Sequence, residues 1–237
     1  MPIKALFLNC TLKPSPEVSN TQSLIDKVAA LIERQGAETE SVRIADEHVG
    51  TGISSDLGAK DGWPAILAKV RDCDILVIGT PIWLGHMSSI CQRVIERLDD
   101  TYSAYDSTNG QFPLYNKVGA VIVTGNEDGG QSTSSEVLYA LQSFGCAIAP
   151  NSDVYWVGDA GAGPSYIAAG ANRHFYTNKV AAWMAYNTVW MARVLRDHPC
   201  PTNLLELADE QRRLSDAPKD DPHELDRQRL EAQRQRK

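Results

Sequence analysis

Asp74-Ile75-Leu76-Val77-Ile78-Gly79, running on into Thr80-Pro81-Ile82-Trp83-Leu84-Gly85-His86-Met87-Ser88, is the stretch that decides the fold. From Ile75 to Ile78 every side chain is Ile, Leu or Val. A strand with one wet face alternates apolar and polar residues. A strand covered on both faces does not, so this run reads as the centre of a parallel sheet. A turn bearing Pro and Gly follows. Then Met87, Ile90, Cys91, Val94, Ile95 and Leu98 repeat at helical spacing. Strand, turn and helix in that order form the unit from which parallel sheets are built.

The same unit recurs on both sides. Upstream, Ile3 to Asn9 is an apolar run, and a helical pattern follows from about Thr21 to Gln35. Gly36 closes that helix, as a residue that tolerates positive φ. Glu38 to Ile44 alternates and is more polar, which suits an edge strand. Residues 45–62 are rich in Gly, Ser and Asp and read as a loop. Pro64 suits the first turn of a helix ending near Cys73. Downstream come a polar loop (99–116), an apolar run from Val118 to Thr124, and a helix from about Ser132 to Phe144 closed by Gly145. A last run, Ala147 to Trp156, leads into a glycine-bearing loop (157–170) and a helix from about Ala171 to Asp197. Trp183, Met184, Trp190, Met191 and Leu195 on that helix read as core or subunit interface. There are no internal repeats. Five β–α units with right-handed crossovers give an open, doubly wound α/β sheet with helices on both faces. Residues 1–206 form the expected domain. Residues 207–237, dominated by Asp, Glu, Arg and Gln, form a charged tail, mobile or helical.

Composition narrows the function. The chain has 237 residues, 43% hydrophobic and 22% charged, enough for one decorated α/β domain. A net charge of −7 argues against a nucleic-acid partner, which needs a basic face. The most apolar run is far shorter than the ~20 residues that span a bilayer. Pro2 to Leu8 enters an apolar run without a charged region and cleavage site, so it reads as a first strand and not a signal peptide. Cys10, Cys73, Cys91, Cys146 and Cys200 are scattered, with no C-x-x-C pair. They predict neither a disulfide framework nor a metal site, but buried thiols in a reducing cytoplasm.

In a doubly wound sheet, ligands bind beyond the carboxyl ends of the strands. Three loops lie there. The first, Asn9 to Gln22, joins a strand to a helix N-terminus, whose unpaired N–H groups and positive dipole end suit phosphate. Thr11, Ser19, Asn20 and Thr21 add side-chain donors and Lys13 adds charge. It is neither a P-loop nor a dinucleotide fingerprint. Ser19 or Asn20 could equally be a plain helix cap. The second loop, Thr80 to Ser88, offers apolar packing and backbone polar groups to a flat ring. Trp83 could pack on the ring, at a subunit contact, or as a rim hydrophobe. The third, Thr124-Gly125-Asn126-Glu127-Asp128-Gly129-Gly130-Gln131-Ser132, lets backbone approach a ligand closely, or is simply a strand-to-helix turn. Together the loops point to a mononucleotide carrying a large flat ring.

At these residues the chain resembles the flavodoxin-like NAD(P)H-dependent FMN reductase family. Asn9-Cys10-Thr11-Leu12-Lys13 and Ser19-Asn20-Thr21-Gln22-Ser23-Leu24 are similar to the family's N-G-S-x-R and S-N-T-x-x-L. Thr80 to Ser88 is similar to T-P-[IV]-[YW]-x-G-x-[MP]-[SP], and Arg97-Leu98-Asp99 to the R-L-D that ends the next helix. The third loop resembles T-G-G-x-x-x-G-G, with Asn126 in place of the second Gly. The likeness covers roughly residues 3–156. It implies a five-stranded sheet of order 2-1-3-4-5. It also implies FMN phosphate held by Thr11, Lys13, Ser19, Asn20 and Thr21. The ring would lie against Pro81, Ile82, Trp83, Leu84 and Gly85 and against Thr124, Gly125 and Asn126, with Gly129 and Gly130 shaping the last loop. NADH or NADPH would be the co-substrate, a quinone, flavin or similar small molecule the acceptor, and the assembly a homodimer or homotetramer. Cys10 departs from the family's Gly. Lys13 replaces Arg and would hold phosphate as a point charge and not a fork. The cysteine cluster of the iron–sulfur branch is absent.

Flavin carries its own redox chemistry, so no acid or base is assigned. His86 lies beside the ring loop, where it could be catalytic or structural. Backbone N–H groups near Gly85 or Asn126 could stabilise negative charge on a ring. A flavodoxin-type electron carrier, a non-enzymatic FMN-binding module and a signalling domain share the topology. The last lacks its acidic cluster, because Asn9-Cys10-Thr11 follows the first strand.

Overall fold

The computed structural model describes residues 1–161 and 163–214. Strand β1 (Lys4–Asn9) leads to helix α1 (Asn20–Glu33), then β2 (Glu38–Arg43), α2 (Trp63–Asp72) and β3 (Ile75–Trp83). After these come β4 (His86–Met87), α3 (Ser89–Leu98), β5 (Val118–Thr124), α4 (Gly130–Ser143), β6 (Ala147–Trp156), α5 (Phe175–Asp197) and α6 (Leu204–Leu214). The long strands pair in parallel in the order β2-β1-β3-β5-β6, the flavodoxin-like doubly wound arrangement. The sequence expected five strands. The sixth, β4, is a two-residue antiparallel partner of β3.

Period-two alternation divides the sheet's side chains between two cores. Leu76 and Ile78 join α2, α3 and α4 on one face, with Trp63, Val94 and Leu141 fully buried. Ile75 and Val77 join α1 and α5 on the other, with Leu24, Val28, Met184 and Val189 fully buried. Gly36 (φ 78°) and Gly145 (φ 103°) end α1 and α4 as expected. The last long helix starts at Phe175, after a 3₁₀ turn at Ala171–Arg173. His174 caps it by accepting from the Thr177 N–H at 3.3 Å.

Edge strand β6 is irregular. Gly119 pairs with Ile148 but Val121 with Asp153, so Ala149 to Ser152 stand against Ala120 alone. Asn151 takes φ 57° within that bulge, and Asn187 Nδ2 donates to the Pro150 carbonyl at 2.8 Å.

The loop of residues 45–62 is pinned from within. Arg97 Nη2 and Nη1 reach the Asp61 carboxylate at 2.5 and 3.1 Å, and Nη1 reaches the Gly50 carbonyl at 3.1 Å. The Arg97 side chain is fully buried and stacks 5.5 Å from the Trp63 ring.

Among the described residues, 1–105 and 112–200 make one unit, and 106–111 with 201–214 make another. In the second, Leu204 N–H donates to the Asn109 carbonyl at 2.7 Å and Gln111 Nε2 to the Thr202 carbonyl at 2.9 Å. The boundary expected at 206/207 falls inside α6. The rest of the charged tail, from residue 215, lies outside the described residues. Among the described residues, no helix is long and apolar enough to cross a membrane.

Candidate flavin-binding site

Asn9, fully buried at the end of β1, organises the first loop. Its Oδ1 accepts from the Thr11 N–H at 3.0 Å. Its Nδ2 donates to Gln22 Oε1 at 2.8 Å and Ser19 Oγ at 3.4 Å. Ser19 is the N-cap of α1, its Oγ accepting from the Gln22 N–H at 3.1 Å. The capping reading is therefore realised. It leaves the phosphate reading intact, because a hydroxyl that accepts from protein donors keeps its own O–H to donate. Thr11 is in the same position, its Oγ1 accepting from the Lys13 N–H at 3.4 Å. Lys13 is exposed, its Nζ 3.5 Å from the Val18 carbonyl. Asn20 Oδ1 accepts from the Ile167 N–H at 3.0 Å. Thr21 is buried and meets Thr124 hydroxyl to hydroxyl at 2.9 Å, which ties the first loop to the third.

The second loop is more ordered than its sequence implied. Thr80 to Trp83 continue β3, and only Leu84 and Gly85 turn. Both take positive φ, 49° and 82°, the requirement of a tight two-residue hairpin. Trp83 is 54% exposed and Leu84 85% exposed, so the hairpin presents bare apolar surface. Ser88 fastens its base: Oγ donates to the Cys10 carbonyl at 2.7 Å and caps α3 through the Cys91 N–H at 3.1 Å. Thr80 Oγ1 accepts from the Ser88 N–H at 3.0 Å. His86 follows the turn directly. It lies in β4, with Nδ1 3.0 Å from Glu136 Oε1.

The third loop packs on that hairpin. The Leu84 N–H donates to Glu127 Oε1 at 3.1 Å, and the Gly85 carbonyl accepts from Ser132 Oγ at 3.1 Å. A Cβ on Gly129 (φ 123°) would stand 2.7 Å from Gly85 Cα, so only glycine fits there. Gly125 backs onto Ile82, and Gly130 backs onto the Tyr155 ring, 2.6 Å from an added Cβ. Those two glycines serve packing.

A fourth loop, residues 157–170, reads in the sequence only as a connection. Asn126 Nδ2 donates to the Gly163 carbonyl at 3.0 Å, the Asn126 carbonyl accepts from the Gly161 N–H at 2.5 Å, and Ile167 binds Asn20. Asn9, Ser88 and this loop are what sequence reading missed. Asn9 stood in the quoted motif, and a buried Asn at a strand end needs partners. Nothing local in the fourth loop gives its destination.

Thus Thr11, Lys13, Ser19 and the N-terminus of α1 offer donors and charge. The hairpin offers apolar surface, and the third loop closes against it. That donor set fits a 5′-phosphate, and the exposed Trp83 and Leu84 fit a flat ring. Among the described residues, no cluster of His, Cys, Asp and Glu could hold a metal.

Fold and site together define a flavodoxin-like protein built for a flavin mononucleotide. Sequence comparison agrees: residues 3–161 match the NADPH-dependent FMN reductase family, and the chain belongs to it. It is 42% identical over 228 residues to 8-demethyl-8-aminoriboflavin-5′-phosphate synthase of Streptomyces davaonensis, covering 91% of this chain and 87% of that one. It superposes on the crystal structure of RosB with bound 8-demethyl-8-formylriboflavin-5′-phosphate with a TM-score of 0.85 and 39% identity, over 92% of this chain and 88% of that one. A flavone reductase shares the fold at 14% identity, with a TM-score of 0.57 over 84% of this chain and 65% of that one. An alignment of 228 residues cannot end at residue 161, so the likeness to the synthase extends into α5.

Proposed function

We propose that this protein is an FMN-dependent oxidoreductase that uses NADH or NADPH and passes electrons to a quinone, flavin or similar small acceptor. The observation that carries the reading is the joining of the three loops, Thr21 to Thr124 at 2.9 Å and Gly129 against Gly85, at the carboxyl ends of the strands. Bound there, FMN would supply a ring that takes a hydride from the nicotinamide and yields electrons to the acceptor. The chain's part is positioning. Thr11 and Ser19 donate O–H groups and Lys13 gives charge to the phosphate. Pro81, Ile82, Trp83 and Leu84 exclude water from one side of the ring. The unpaired buried thiols support a reducing compartment, the cytoplasm.

A second reading treats the flavin phosphate as substrate and not as cofactor. Its support is the 42% identity to a synthase whose product is an aminated riboflavin phosphate, over most of both chains. One experiment separates the two. The protein is loaded with FMN, desalted, and titrated with NADPH or NADH without air. A quinone is then added; a parallel sample of the FMN-loaded protein is incubated in air with an amino-acid nitrogen donor, and the flavin of both samples is extracted for mass spectrometry. Bands near ~370 and ~450 nm that bleach and return, with the flavin mass unchanged, are the expected result for a reductase. A flavin of altered mass after turnover supports the second reading. Bands that never bleach leave a carrier or binding module, and a protein that retains no flavin overturns both readings.

A further inference from the structure

The hairpin carries a titratable pair that the proposed reaction does not use. His86 and Glu136 meet on its outside, Nδ1 to Oε1 at 3.0 Å. Their side chains are 69% and 38% exposed. An exposed pair of this kind adds little to stability, so folding gives no reason for it. Its placement does. Across the ribbon Ile82 pairs with Met87, and Trp83 pairs with His86. Directly opposed residues of an antiparallel pair point to the same face, and the next pair points to the other. Ile82 and Met87 take the core face. Trp83 and His86 therefore share the outer face, where the Cβ atoms of opposed residues stand about 4.5–5.5 Å apart. A flat ring packed on Trp83 lies within reach of the imidazole.

The imidazole is also held. The Gly85 carbonyl, one residue before it, accepts from Ser132 Oγ at 3.1 Å and from Thr133 Oγ1 at 3.3 Å. Helix α4 thus fixes both the backbone beside His86 and the His86 ring. An ionised carboxylate only accepts hydrogen bonds, so the hydrogen sits on Nδ1. That leaves Nε2 to take up or give a proton, the arrangement in which a carboxylate orients a histidine for proton transfer. Among the described residues, Glu136 is the imidazole's only hydrogen-bond partner. An open groove of about 500 Å³, with Met87, Ile95 and Tyr139 in its lining, lies beside the pair.

We propose that His86 is the proton donor to the electron acceptor, a quinone, and that Glu136 positions it. The inference rests on the reading of a quinone reductase and adds a catalytic residue to it. A hydride, two electrons with one hydrogen, turns a quinone into a hydroquinone monoanion. The product needs one proton more. The Nε2–H bond of the imidazolium breaks, and an O–H bond forms on the phenolate oxygen. The ring is left neutral and regains its proton from water in the open groove. General acid catalysis of this kind is worth about 10²–10⁴-fold.

The test follows reoxidation alone. The FMN-loaded protein is reduced with dithionite without air and mixed with a quinone, or with ferricyanide, which takes an electron and no proton. His86→Gln is expected to lower the ratio of the quinone rate to the ferricyanide rate about a hundredfold. Glu136→Ala should move the ratio the same way by a smaller factor. In His86→Ala, added imidazole should restore part of the quinone rate. Both side chains are exposed, so each variant should keep its fold and its FMN, checked by circular dichroism and flavin absorbance. Equal slowing with both acceptors, or an unchanged ratio, overturns the proposal. A second readout needs no turnover. In protein labelled with ¹⁵N-histidine and holding oxidised FMN, added hydroquinone should shift the Nε2 signal that His86→Gln removes. A His86 signal indifferent to hydroquinone also overturns the proposal. A native protein that ferricyanide reoxidises and a quinone does not fails as a quinone reductase, and the proposal falls with it. A split between the acceptors in a protein that neither NADH nor NADPH reduces upholds His86 and removes the nicotinamide step instead.

Discussion

Lys13 is the only basic residue in the first loop, and among the described residues its ammonium meets only the Val18 carbonyl, at 3.5 Å. A charge so loosely engaged is free to move onto a phosphate. Lys13→Ala is expected to weaken FMN by about tenfold or more, the scale of one hydrogen bond to a charged group. Riboflavin, which lacks the phosphate, should be unaffected in the same titration, and equal weakening of both would remove Lys13 from the site. Gly129 carries a different kind of constraint. Alanine there must accept φ 123° and a Cβ 2.7 Å from Gly85. We expect a loss of about 1–3 kcal/mol, read as a fall in Tm, together with weaker flavin retention because the hairpin is displaced. Sequence alone located these residues but not their partners. Ser19, Asn20 and Thr21 are consecutive and of similar chemistry. The fold sends one to cap its helix, one to Ile167 and one to Thr124. Such divergence depends on where distant chain lies, which local pattern does not encode.

Elements were legible where periodicity was strong. The uninterrupted apolar run Ile75–Ile78 proved central, and the polar Glu38–Arg43 proved to be an edge strand. The hairpin was not legible, because its turn is Leu84-Gly85 and not the Asn-Gly or Asp-Gly pair that marks such turns. The Arg97–Asp61 pair was hidden for another reason: R-L-D is a family motif, but its partner lies 36 residues away. The hydrogen-bonded Arg97 guanidinium holds the Asp61 carboxyl far below the usual carboxylate range. Stability from the pair is therefore complete above the unfolded-chain value of about 3.9 and fades as pH falls below it. Asp61→Asn should cost about 3–5 kcal/mol at pH 7, since it leaves Arg97 buried without a counter-charge. Denaturation across pH should show that gap narrowing below about pH 4. A gap independent of pH would mean that the carboxylate charge is not what Arg97 needs.

At the scale of the whole molecule, the order β2-β1-β3-β5-β6 brings the loops after β1, β3 and β5 side by side. It gathers residues as far apart as Thr21 and Thr124 into one site. The aromatic residues of α5 were legible, though not as a surface. The sequence allowed core or interface, and the structure puts Met184 inside and Trp183, Tyr186 and Trp190 outside. Shape also sets how copies can meet. The edge strand β6 is interrupted by Ala149 to Ser152, with exposed Pro150 lacking an N–H and Asn151 in the left-handed region. A broken edge cannot offer another chain a continuous row of backbone donors and acceptors. The sheet is thus closed to fibril growth along that side, and crowding the protein should drive it toward finite assemblies formed by side chains before it drives strand-by-strand aggregation.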